Sequence, residues 1–506
     1  MVLVYSQMLK PVIASAQEFN YCDALGKSLL FFEAQSSSCL NDFTIFELHC
    51  KLMKTPVDLV GGYYDAGDHI KFGFPMAFAM TMISWSVIEF EREIYICNQL
   101  EKALDAIQWG TDYLIKAHTQ ANVLWSQVGD GYSDHRCWER AEDMTTSRTA
   151  YKVDSEHPGS DIAGETAAAM AAASIVFKKY DFAYSEILLS HSKQLFSFAD
   201  TYQGRYDDFV SDSRHFYPSM GFHDELLWAA AWLFKATNEE YYINYVVDKV
   251  ASTVETEFDV TQFSWENKYA GLEVLLVKVL TYHGNEAYNQ TLDILRAKAE
   301  FFLCACVQKN DKENVAMSPG GLLYFKEWCN MLCVSSSAFL LTVYSEYLYT
   351  SNSTLNCFIG QVQPVELLKF AQSQANYILG KNPNSMSYLV GYQSNFPTHV
   401  HHRGASIPSV SVLSVPVGCF EGYNKWYLRN ESNPNVIVGA LVGGPNFNDK
   451  FDDQRSNYAQ NEPTLAGNAP LIGLFARMNK ISRSSGEASY DHYAHFYVPV
   501  VRFYII

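Results

Sequence analysis

The sequence predicts an all-α fold in which helical hairpins stack against one another. Apolar residues recur with the helical period from about residue 19 to 478, and strand-like alternation is limited to short stretches. No linker-like tract divides the 506 residues. We therefore expect one large helical domain over 17–478, rather than the roughly three domains that length alone suggests.

Twelve segments have a helical pattern, and several have clear boundaries. Asp161 precedes an alanine-rich run that permits close helix packing, Pro364 stands where a helix begins and Gly380 where it ends. Periodicity alone does not say whether the hairpins close into a ring. The predicted helices lie near 19–35, 75–94, 98–118, 160–179, 184–200, 222–237, 239–254, 268–282, 286–304, 333–350, 364–379 and 464–478.

Three long segments interrupt the helical pattern, near 119–160, 305–332 and 381–463. They are rich in Trp, Tyr, His, Asp and Gly, a composition that disfavours disorder. Loops of this length are usually functional. We expect these segments to form a cleft at one end of the helical stack.

The charge and hydropathy of the chain argue against several kinds of partner. A net charge of −18 disfavours binding to nucleic acids or to anionic membranes, whereas a neutral substrate tolerates an acidic cleft. No run of about 18 apolar residues occurs, so no membrane span is predicted.

The N-terminus and the glycosylation sequons predict a secreted protein of the extracellular space or cell wall. Residues 1–16 end in an Ala-x-Ala-like cleavage site, but an interrupted apolar stretch makes them a poor or truncated signal. The sequons are at Asn289, Asn352 and Asn430. The 11 cysteines are an odd number without zinc-like spacing, and most are interpreted as buried small hydrophobic residues.

The first candidate functional stretch is GGYYDAGDHIKFG, over 61–73. Asp65 and Asp68 flank two small residues, so a tight turn, in which Gly67 is free to adopt positive φ, could aim both carboxylates at one point. Such a pair could hold a water for hydrolysis of a glycosidic bond. The alternative is an Asx-turn that caps the following helix.

Two further stretches contain candidate site residues. THVHHRGASIP, over 398–408, places two adjacent histidines before Arg403. These side chains could donate hydrogen bonds to hydroxyls or to a developing oxyanion. The alternatives are metal binding and a solvated basic loop. KFDDQRSNYAQNEPTLAGNAP, over 450–470, contains Asp453 and Glu462. The alternative for Glu462 is an acid that only stabilises the start of the last helix.

Together these stretches resemble glycoside hydrolase family 9, most closely its plant endo-β-1,4-glucanases. The family's C-terminal signature, aromatic-x-D-x4-aromatic-x3-E-x-small-x3-N-small, is matched throughout, and His401 and Arg403 match the end of its histidine signature. The resemblance covers about residues 17–478. The matched positions of the C-terminal signature are Phe451, Asp453, Tyr458, Glu462, Thr464, Asn468 and Ala469.

The resemblance implies an (α/α)6 barrel of six helical hairpins that hydrolyses β-1,4-glucosidic bonds of cellulose or related cell-wall glucans with inversion. Asp68 would be the general base that activates water, Asp65 would help to hold that water, and Glu462 would be the general acid. Inversion needs the two carboxyls about 6.5–9.5 Å apart. We expect no cofactor, no metal, and a monomer whose partner is the glucan.

The resemblance also implies roles for other residues. His401 and Asp453 would position substrate and order the site, and Arg403 would contact sugar hydroxyls. Aromatic faces pack on glucose rings. The residues implied to line the cleft are Tyr64, His135, Trp138, Trp265 and Trp328. The tryptophans within predicted helices are assigned to the core: Trp85, Trp109, Trp228 and Trp232.

Parts of the chain depart from the family's pattern. Residues 36–57 form an apolar, Cys-bearing stretch in place of the usual tract near the cleft entrance, and 479–506 form a divergent tail. His69 stands where Asn is usual, Gln393 where Gly is usual and Cys333 where an aromatic residue is usual. These departures leave open a catalytically impaired glucan-binding relative. A uronate lyase is disfavoured, because it would need a basic cleft or a metal site.

Overall fold

The computed structural model describes residues 19–36, 57–252 and 262–484. The expected signal at 1–16, most of the divergent stretch at 36–57 and most of the tail lie outside these ranges. Long helices dominate the described residues, and each lies where the sequence predicted one. They are α1 (Tyr21–Gln35), α2 (Gly73–Ile96), α3 (Leu100–Ala117), α4 (Ser160–Phe177), α5 (Phe182–Thr201), α6 (His223–Thr237), α7 (Glu240–Ser252), α8 (Tyr269–His283), α9 (Asn289–Cys306), α10 (Asn330–Thr350), α11 (Pro364–Ile378) and α12 (Leu465–Ser484).

The twelve helices close into a ring. The even-numbered helices pack side by side in the order α2, α4, α6, α8, α10 and α12, and α12 returns to α2. Each odd-numbered helix packs outside one inner helix: α3 on α2, α5 on α4, α7 on α6, α9 on α8, α11 on α10 and α1 on α12. The fold is therefore the (α/α)6 barrel of six hairpins that the family resemblance implies.

The inner helices are buried on nearly every side, and their sequences suit that position. In α4 the alanines from Ala167 to Ala173 let neighbouring helices approach closely. In α2 and α10 apolar residues occupy almost the whole circumference, whereas outer helices such as α3 and α11 have one apolar stripe. A helix that is apolar all round is stable only when it is enclosed by others.

Three tryptophans fill the middle of the ring. Trp85, Trp228 and Trp232 are fully buried and make edge-to-face contacts, with ring centroids 5.5–5.7 Å apart. Their predicted place in the core is confirmed. Trp109 is only half-buried, and its indole N–H donates to the Gly62 carbonyl at 2.8 Å, so it supports the loop before α2.

Two inner helices, α2 and α10, are long and apolar enough to cross a membrane by length and composition. In the barrel, 89% and 94% of their most apolar windows are buried. Buried core helices pass the same test, so this observation is weak evidence for a membrane span.

Short elements fill the segments between the long helices. Antiparallel strands β1 (Lys71–Phe72), β2 (Val123–Val128) and β3 (Ala150–Asp154) form one sheet, and two hairpins pair β4 (Ala316–Met317) with β5 (Leu323–Tyr324) and β6 (Leu355–Cys357) with β7 (Gly360–Val362). The short helices are Gly131–His135, Ser211–Phe216, Arg403–Ser406, Cys419–Glu421 and Tyr458–Asn461, with 3₁₀ turns at Ala141–Asp143, Tyr206–Asp208 and Glu286–Tyr288 and a π-helical turn at Gly422–Tyr427.

The inner helices run in the same direction, so the loops that precede them meet at one end of the barrel. The three long irregular segments of the sequence all precede inner helices, α4, α10 and α12. This placement agrees with the expectation that they line one end of the stack. Helix α12 continues to Ser484, six residues beyond the expected end of the domain at 478.

Disulfides join distant parts of the described chain, which corrects the interpretation of most cysteines as isolated hydrophobic residues. The bridges are Cys22–Cys97, Cys137–Cys419 and Cys304–Cys357. Cys306, Cys329 and Cys333 are free and buried, as that interpretation expected. A periodic apolar pattern cannot distinguish a buried thiol from a bridged one.

Candidate active site

The turn that contains Asp65 and Asp68 immediately precedes β1 and α2. Asp68 Oδ1 accepts the Ile70 N–H at 2.9 Å, which is an Asx-turn. Helix α2 begins only at Gly73, so Asp68 does not cap it, and that part of the alternative is wrong. The other oxygen, Oδ2, lies 4.0 Å from His135 Nε2. The Asx-turn therefore fixes Asp68 while leaving one oxygen free for chemistry.

Asp65 is fully buried at the base of the same turn. Its Oδ2 accepts a hydrogen bond from the Tyr217 hydroxyl, and its Oδ1 has no hydrogen-bond partner among the residues that the structure describes. Its backbone is also held, because Leu465 N–H, at the start of α12, donates to the Asp65 carbonyl at 3.0 Å. A buried carboxylate oxygen with no protein donor is suited to hold a water.

Glu462 approaches this turn from the other end of the chain. Its Oε1 accepts the Gly67 N–H at 3.2 Å, one residue before Asp68. Glu462 ends the short helix Tyr458–Asn461, and α12 begins three residues later. Its side chain therefore contacts the aspartate turn and not the first residues of α12. This excludes the alternative in which Glu462 only stabilises the start of that helix.

Gly67 has a role that differs from the expected one. It is not among the residues at positive φ, so the prediction for its backbone conformation is wrong. A Cβ at this position would lie 2.1 Å from the His401 carbonyl oxygen and 3.2 Å from Glu462 Oε1. Glycine is required because two other segments approach the turn closely at this point.

Burial is the main cause that raises the pKa of all three carboxyls. Burial is the main cause for Glu462, and the nearby Asp68 adds to it, so that the pKa of Glu462 rises to about 8. Burial also raises the pKa of Asp65 and of Asp68, and the Asp68 charge raises the pKa of Asp65 further. The charges of His135 and Arg403 oppose this by lowering the pKa of Asp68. Glu462 therefore retains a proton at neutral pH, as a general acid must.

His401 and His402 have separate environments. The His401 Nδ1 lies 2.7 Å from the Arg455 carbonyl, which can only accept, so Nδ1 carries the proton. Burial lowers the pKa of His401 to about 3, which leaves a neutral ring whose Nε2 can accept a hydrogen bond. His402 is buried and its Nε2 lies 2.9 Å from Gln35 Oε1. The two rings do not converge on one metal position.

Arg403 is buried in the site, where it joins three segments of the chain. It is 2% exposed and donates to the backbone carbonyls of Gly67 at 2.9 Å, Cys137 at 3.0 Å and Asp134 at 2.9 Å. It also pairs with the Asp134 carboxylate at 3.0 Å. The solvated basic loop is wrong for Arg403, because buried carbonyls surround the guanidinium, and the contact of Arg403 with sugar hydroxyls stays a prediction.

Asp453 orders the backbone that leads to His401. Its carboxylate accepts the N–H groups of Thr398 at 2.8 Å and His399 at 3.0 Å, and the Thr398 hydroxyl at 3.0 Å. These bonds tie the two signature stretches together. They fit the ordering role that the resemblance implies for Asp453.

Of the five expected cleft residues, three lie at or near the carboxyls with exposed surface. The His135 side chain is 37% exposed beside Asp68, with one ring face covered by Phe216. Tyr64 is half-buried in the loop that carries Asp65. Trp328 is half-buried and precedes Cys329, whose Sγ lies 3.7 Å from the Glu462 carbonyl.

The other two expected cleft residues are buried. Trp265 is 2% exposed and packs against Phe74 and Tyr217, so it is unavailable for stacking on sugar. Trp138 is 5% exposed, and its ring contacts His401 at 5.0 Å. These two assignments are corrected: both tryptophans support residues of the site.

Sequence reasoning missed three groups at the site. Tyr217 donates to Asp65 from a loop that carries no recognised motif. Gln35 donates to the Ala66 carbonyl at 2.6 Å and so holds the aspartate turn from α1. Tyr458 is 55% exposed beside His401, with ring centroids 5.9 Å apart. Tyr458 was recognised only as a signature position, and its exposure could not be read from the motif.

The departures from the family pattern that lie in the described residues are accommodated. His69 is buried against Tyr64, and burial lowers its pKa to about 3. Cys333 is buried and donates to Gln262 Oε1 at 3.4 Å. Gln393 adopts φ +60°, the left-handed conformation that glycine favours. None of these residues contacts Asp65, Asp68 or Glu462 in the described hydrogen bonds.

The site combines a carboxyl that is protonated at neutral pH with a second carboxyl held in a turn beside it, and a pair of carboxyl groups of this kind is what an acid–base glycoside hydrolase uses. Glu462 is partly exposed and Asp68 is 5% exposed, and the nearby side chains of His135 and Tyr458 are both exposed. The sequence model of Glycosyl hydrolase family 9 matches residues 21–475. The chain belongs to this family.

Named relatives agree with the family assignment. The chain is 59% identical over 471 residues to Endoglucanase 13 of Oryza sativa subsp. indica, covering 92% of this chain and 75% of the relative. It is 52% identical over 497 residues to Endoglucanase 5 of Arabidopsis thaliana, covering 97% and 79%.

Solved structures share the fold over most of their length. An endoglucanase of the termite Nasutitermes takasagoensis matches with a TM-score of 0.77 and 37% identity, covering 92% of this chain and 99% of that one. The cellulase Cel9M of C. cellulolyticum, solved in complex with cellobiose, matches with a TM-score of 0.77 and 30% identity, covering 92% and 100%.

Proposed function

We propose that this enzyme, an inverting endo-β-1,4-glucanase of glycosyl hydrolase family 9, uses Asp68 as its general base and Glu462 as its general acid. Asp68 Oδ2 takes a proton from the attacking water, which Asp65 helps to hold. Glu462 donates its proton to the oxygen of the leaving sugar. Each cycle returns both carboxyls to their starting states by exchange with solvent.

The hydrogen bond from Gly67 N–H to Glu462 Oε1 is the observation that carries this proposal. It holds the acid beside the turn that presents the base, although the two residues are far apart in sequence. The raised pKa of Glu462, about 8, supplies a proton at working pH. Neutral His401 accepts a hydrogen bond from a sugar hydroxyl and so helps to orient the reacting glucose.

The surroundings of the carboxyls suit a neutral glucan. His135, Trp328 and Tyr64 offer aromatic surface near the acids, and such faces pack against the C–H faces of glucose. A recess of about 580 Å³ is lined in part by Glu327, the residue before Trp328, and mainly by polar side chains that can hydrogen-bond to sugar hydroxyls: Glu327, Asn384, Asn446, Lys450, Asp452, Asn457 and Gln460.

We also infer a secreted, glycosylated monomer that acts in the cell wall and has no membrane span. The three disulfides among the described residues support an oxidising compartment, since such bonds persist outside the cytosol. The sequon residues Asn289, Asn352 and Asn430 are all exposed. Both apolar helices, α2 and α10, are enclosed by the barrel. Endoglycosidase treatment and sedimentation of the protein from the culture medium of secreting cells test these inferences.

The catalytic proposal is tested by the anomer of the product and by Glu462→Gln. NMR of a freshly cleaved cello-oligosaccharide should show the α-anomer first, as inversion requires. Glu462→Gln should lose hydrolysis and keep glucan binding, whereas the exposed Glu313→Gln should behave as the wild type. A β-anomer as first product would contradict inversion. Wild-type turnover by Glu462→Gln would remove Glu462 from the acid role.

A further inference from the structure

An aromatic surface outside the carboxyl site begins at His401 and leads away from it. The His401 ring lies 5.0 Å from Trp138 and 6.2 Å from Tyr427. Tyr427 stacks on Tyr423, with centroids 5.0 Å apart and ring planes at 18°. Phe420 lies three residues before Tyr423 in the chain, in the short helix Cys419–Glu421. We call Phe420, Tyr423 and Tyr427 the aromatic platform.

The aromatic platform is exposed although its rings are apolar. Phe420 is 83% exposed and Tyr423 is 47% exposed, even though Tyr427 covers one face of the Tyr423 ring. In the preceding loop Val412 is 79% exposed and Val415 is 63% exposed. Exposed apolar side chains that are concentrated in one segment of the chain, here 412–427, mark a binding site more often than a single scattered residue does.

The backbone beneath the aromatic platform is held firmly in place. The Cys137–Cys419 disulfide joins the residue next to Trp138 to the residue next to Phe420. Gly422 packs directly on the Trp138 carbonyl, where an added Cβ would lie only 1.5 Å from the oxygen. Exposure of the rings is therefore a fixed feature of the fold and does not result from a loosely attached loop.

A buried ion pair fixes the loop that precedes the aromatic platform. Arg140 is 1% exposed and donates to the carbonyls of Pro408 and Leu413, both at 2.8 Å, and of Val415 at 3.1 Å. Its partner Asp143, 2.5 Å away, accepts the Val417 N–H. A segment clamped in this way is preorganised, so little conformational freedom is lost when it binds a ligand.

The charges around the aromatic platform compensate one another. Lys425 pairs with Glu421 at 3.2 Å, and Arg429 pairs with Glu431 at 3.3 Å. The surface thus presents aromatic rings without an excess of positive or negative charge, which suits a neutral ligand. Continuity with His401 indicates that the ligand is the same polymer that the carboxyls cut.

We propose that the aromatic platform binds a further stretch of the β-1,4-glucan chain, beyond the glucose units at the carboxyls. This inference rests on the proposed function. Phe420 and Tyr423 stack on glucose rings, and the disulfide and the Arg140–Asp143 pair hold the rings in line with the site. The enzyme would consequently favour long glucan chains over short oligosaccharides.

Retention on a long soluble β-1,4-glucan in a native gel tests the proposal, with Glu462→Gln as background so that the polymer is not cut. Phe420→Ala and Tyr423→Ala should each weaken retention by about three- to tenfold. Tyr423→Phe, which keeps the ring, should restore it. Phe358→Ala is the matched control, because Phe358 is 77% exposed in the β6–β7 turn and does not belong to the aromatic platform.

Turnover by the active enzyme gives a second readout. The ratio of kcat/KM on long glucan to kcat/KM on a short cello-oligosaccharide should fall in Phe420→Ala and Tyr423→Ala. If Phe420→Ala and Tyr423→Ala match Phe358→Ala in both glucan retention and kcat/KM ratio, the proposed role of the aromatic platform is wrong. The proposed function would be unaffected by that result. If the wild type neither cuts nor retains glucan, the proposed function itself fails. A wild-type dimer that Phe420→Ala dissociates without loss of glucan retention would identify a protein interface and overturn the proposal.

Discussion

The side chain of Glu462 accepts a hydrogen bond at 3.2 Å from the backbone of Gly67, 395 residues earlier in the chain. The same glycine has the His401 carbonyl packed against its Cα, and its own carbonyl accepts bonds from the Arg403 side chain and backbone. Glu462, the turn that carries Asp65 and Asp68, and the loop that carries His401 therefore all contact Gly67, which has no side chain. The position of the proposed acid, Glu462, relative to the proposed base, Asp68, depends on these contacts at Gly67.

Gly67→Ala should consequently disable the enzyme without unfolding it. The new Cβ would lie 2.1 Å from a backbone oxygen, so either the turn or the histidine loop must move. A displacement of that size at a catalytic centre costs on the order of 100-fold in kcat. Glucan hydrolysis and circular dichroism are the measurements. Gly221→Ala is the control, since its Cβ would meet nothing within 4 Å, and wild-type activity in Gly67→Ala would contradict the argument.

The sequence predicted the helices and the acids better than it predicted the partners of those acids. Helical periodicity is a local property, so it located all twelve helices, but ring closure depends on contacts between α2 and α12, at opposite ends of the described chain. The family resemblance implied that Arg403 contacts sugar hydroxyls, but it did not show that the side chain is buried. Its burial depends on carbonyls from Gly67, Asp134 and Cys137, which converge only in the folded chain.

Tyr217 is a site residue that the sequence analysis missed for the same reason. It lies 152 residues from Asp65 in a segment without a motif, so only the fold brings its hydroxyl to the carboxylate. Trp265 and Trp328 both occupy irregular segments, yet one is buried against Tyr217 and the other is partly exposed. Exposure of an aromatic side chain outside a helix is set by tertiary packing, which local patterns do not encode.

Tyr217→Phe should impair the water-holding role of Asp65. The hydroxyl opposes the effect of burial on the pKa of Asp65, so its removal should raise that pKa further. We expect kcat to fall by roughly tenfold or more, the cost of one hydrogen bond to a charged group. The acid limb of the pH–rate profile should move to higher pH.

Tyr388→Phe is the control for the loss of a buried tyrosine hydroxyl. That hydroxyl accepts a bond from Asn384 at 2.9 Å and belongs to a different part of the loop region. Both variants should lose some stability, but only Tyr217→Phe should shift the pH profile. An unshifted profile in Tyr217→Phe would show that its hydroxyl has only a structural role.

The raised pKa of Glu462 should make the free energy of unfolding of the wild type fall as pH rises. Its folded-state pKa is about 8, above the ordinary value of 4.5, so the folded protein holds a proton that the unfolded chain has released. Its contribution to stability is complete below about 4.5 and is lost progressively as pH rises toward 8. Glu462→Gln cannot ionise, so it should gain stability relative to the wild type over that window.

Thermal unfolding of both proteins between pH 4 and 8 measures this effect. The Tm of Glu462→Gln minus that of the wild type should increase with pH. Glu313→Gln, at an exposed position, should give a difference that is nearly constant with pH. A constant difference for Glu462→Gln as well would mean that Glu462 is not held in its protonated form by the fold.

Gln393→Gly should stabilise the protein, because the structure holds this residue in a conformation that glycine adopts without strain. Gln393 has φ +60° and is exposed, so its side chain contributes little burial. The left-handed conformation costs a residue with a Cβ about 1–2 kcal/mol, and glycine loses roughly 0.5–1 kcal/mol through its freer unfolded state. A net gain of about 0.5–1 kcal/mol in the free energy of unfolding is expected from chemical denaturation. Gln393→Ala removes the same side-chain atoms but keeps the Cβ, and it should give no such gain. Equal stability of the two variants would show that the backbone at 393 is not strained.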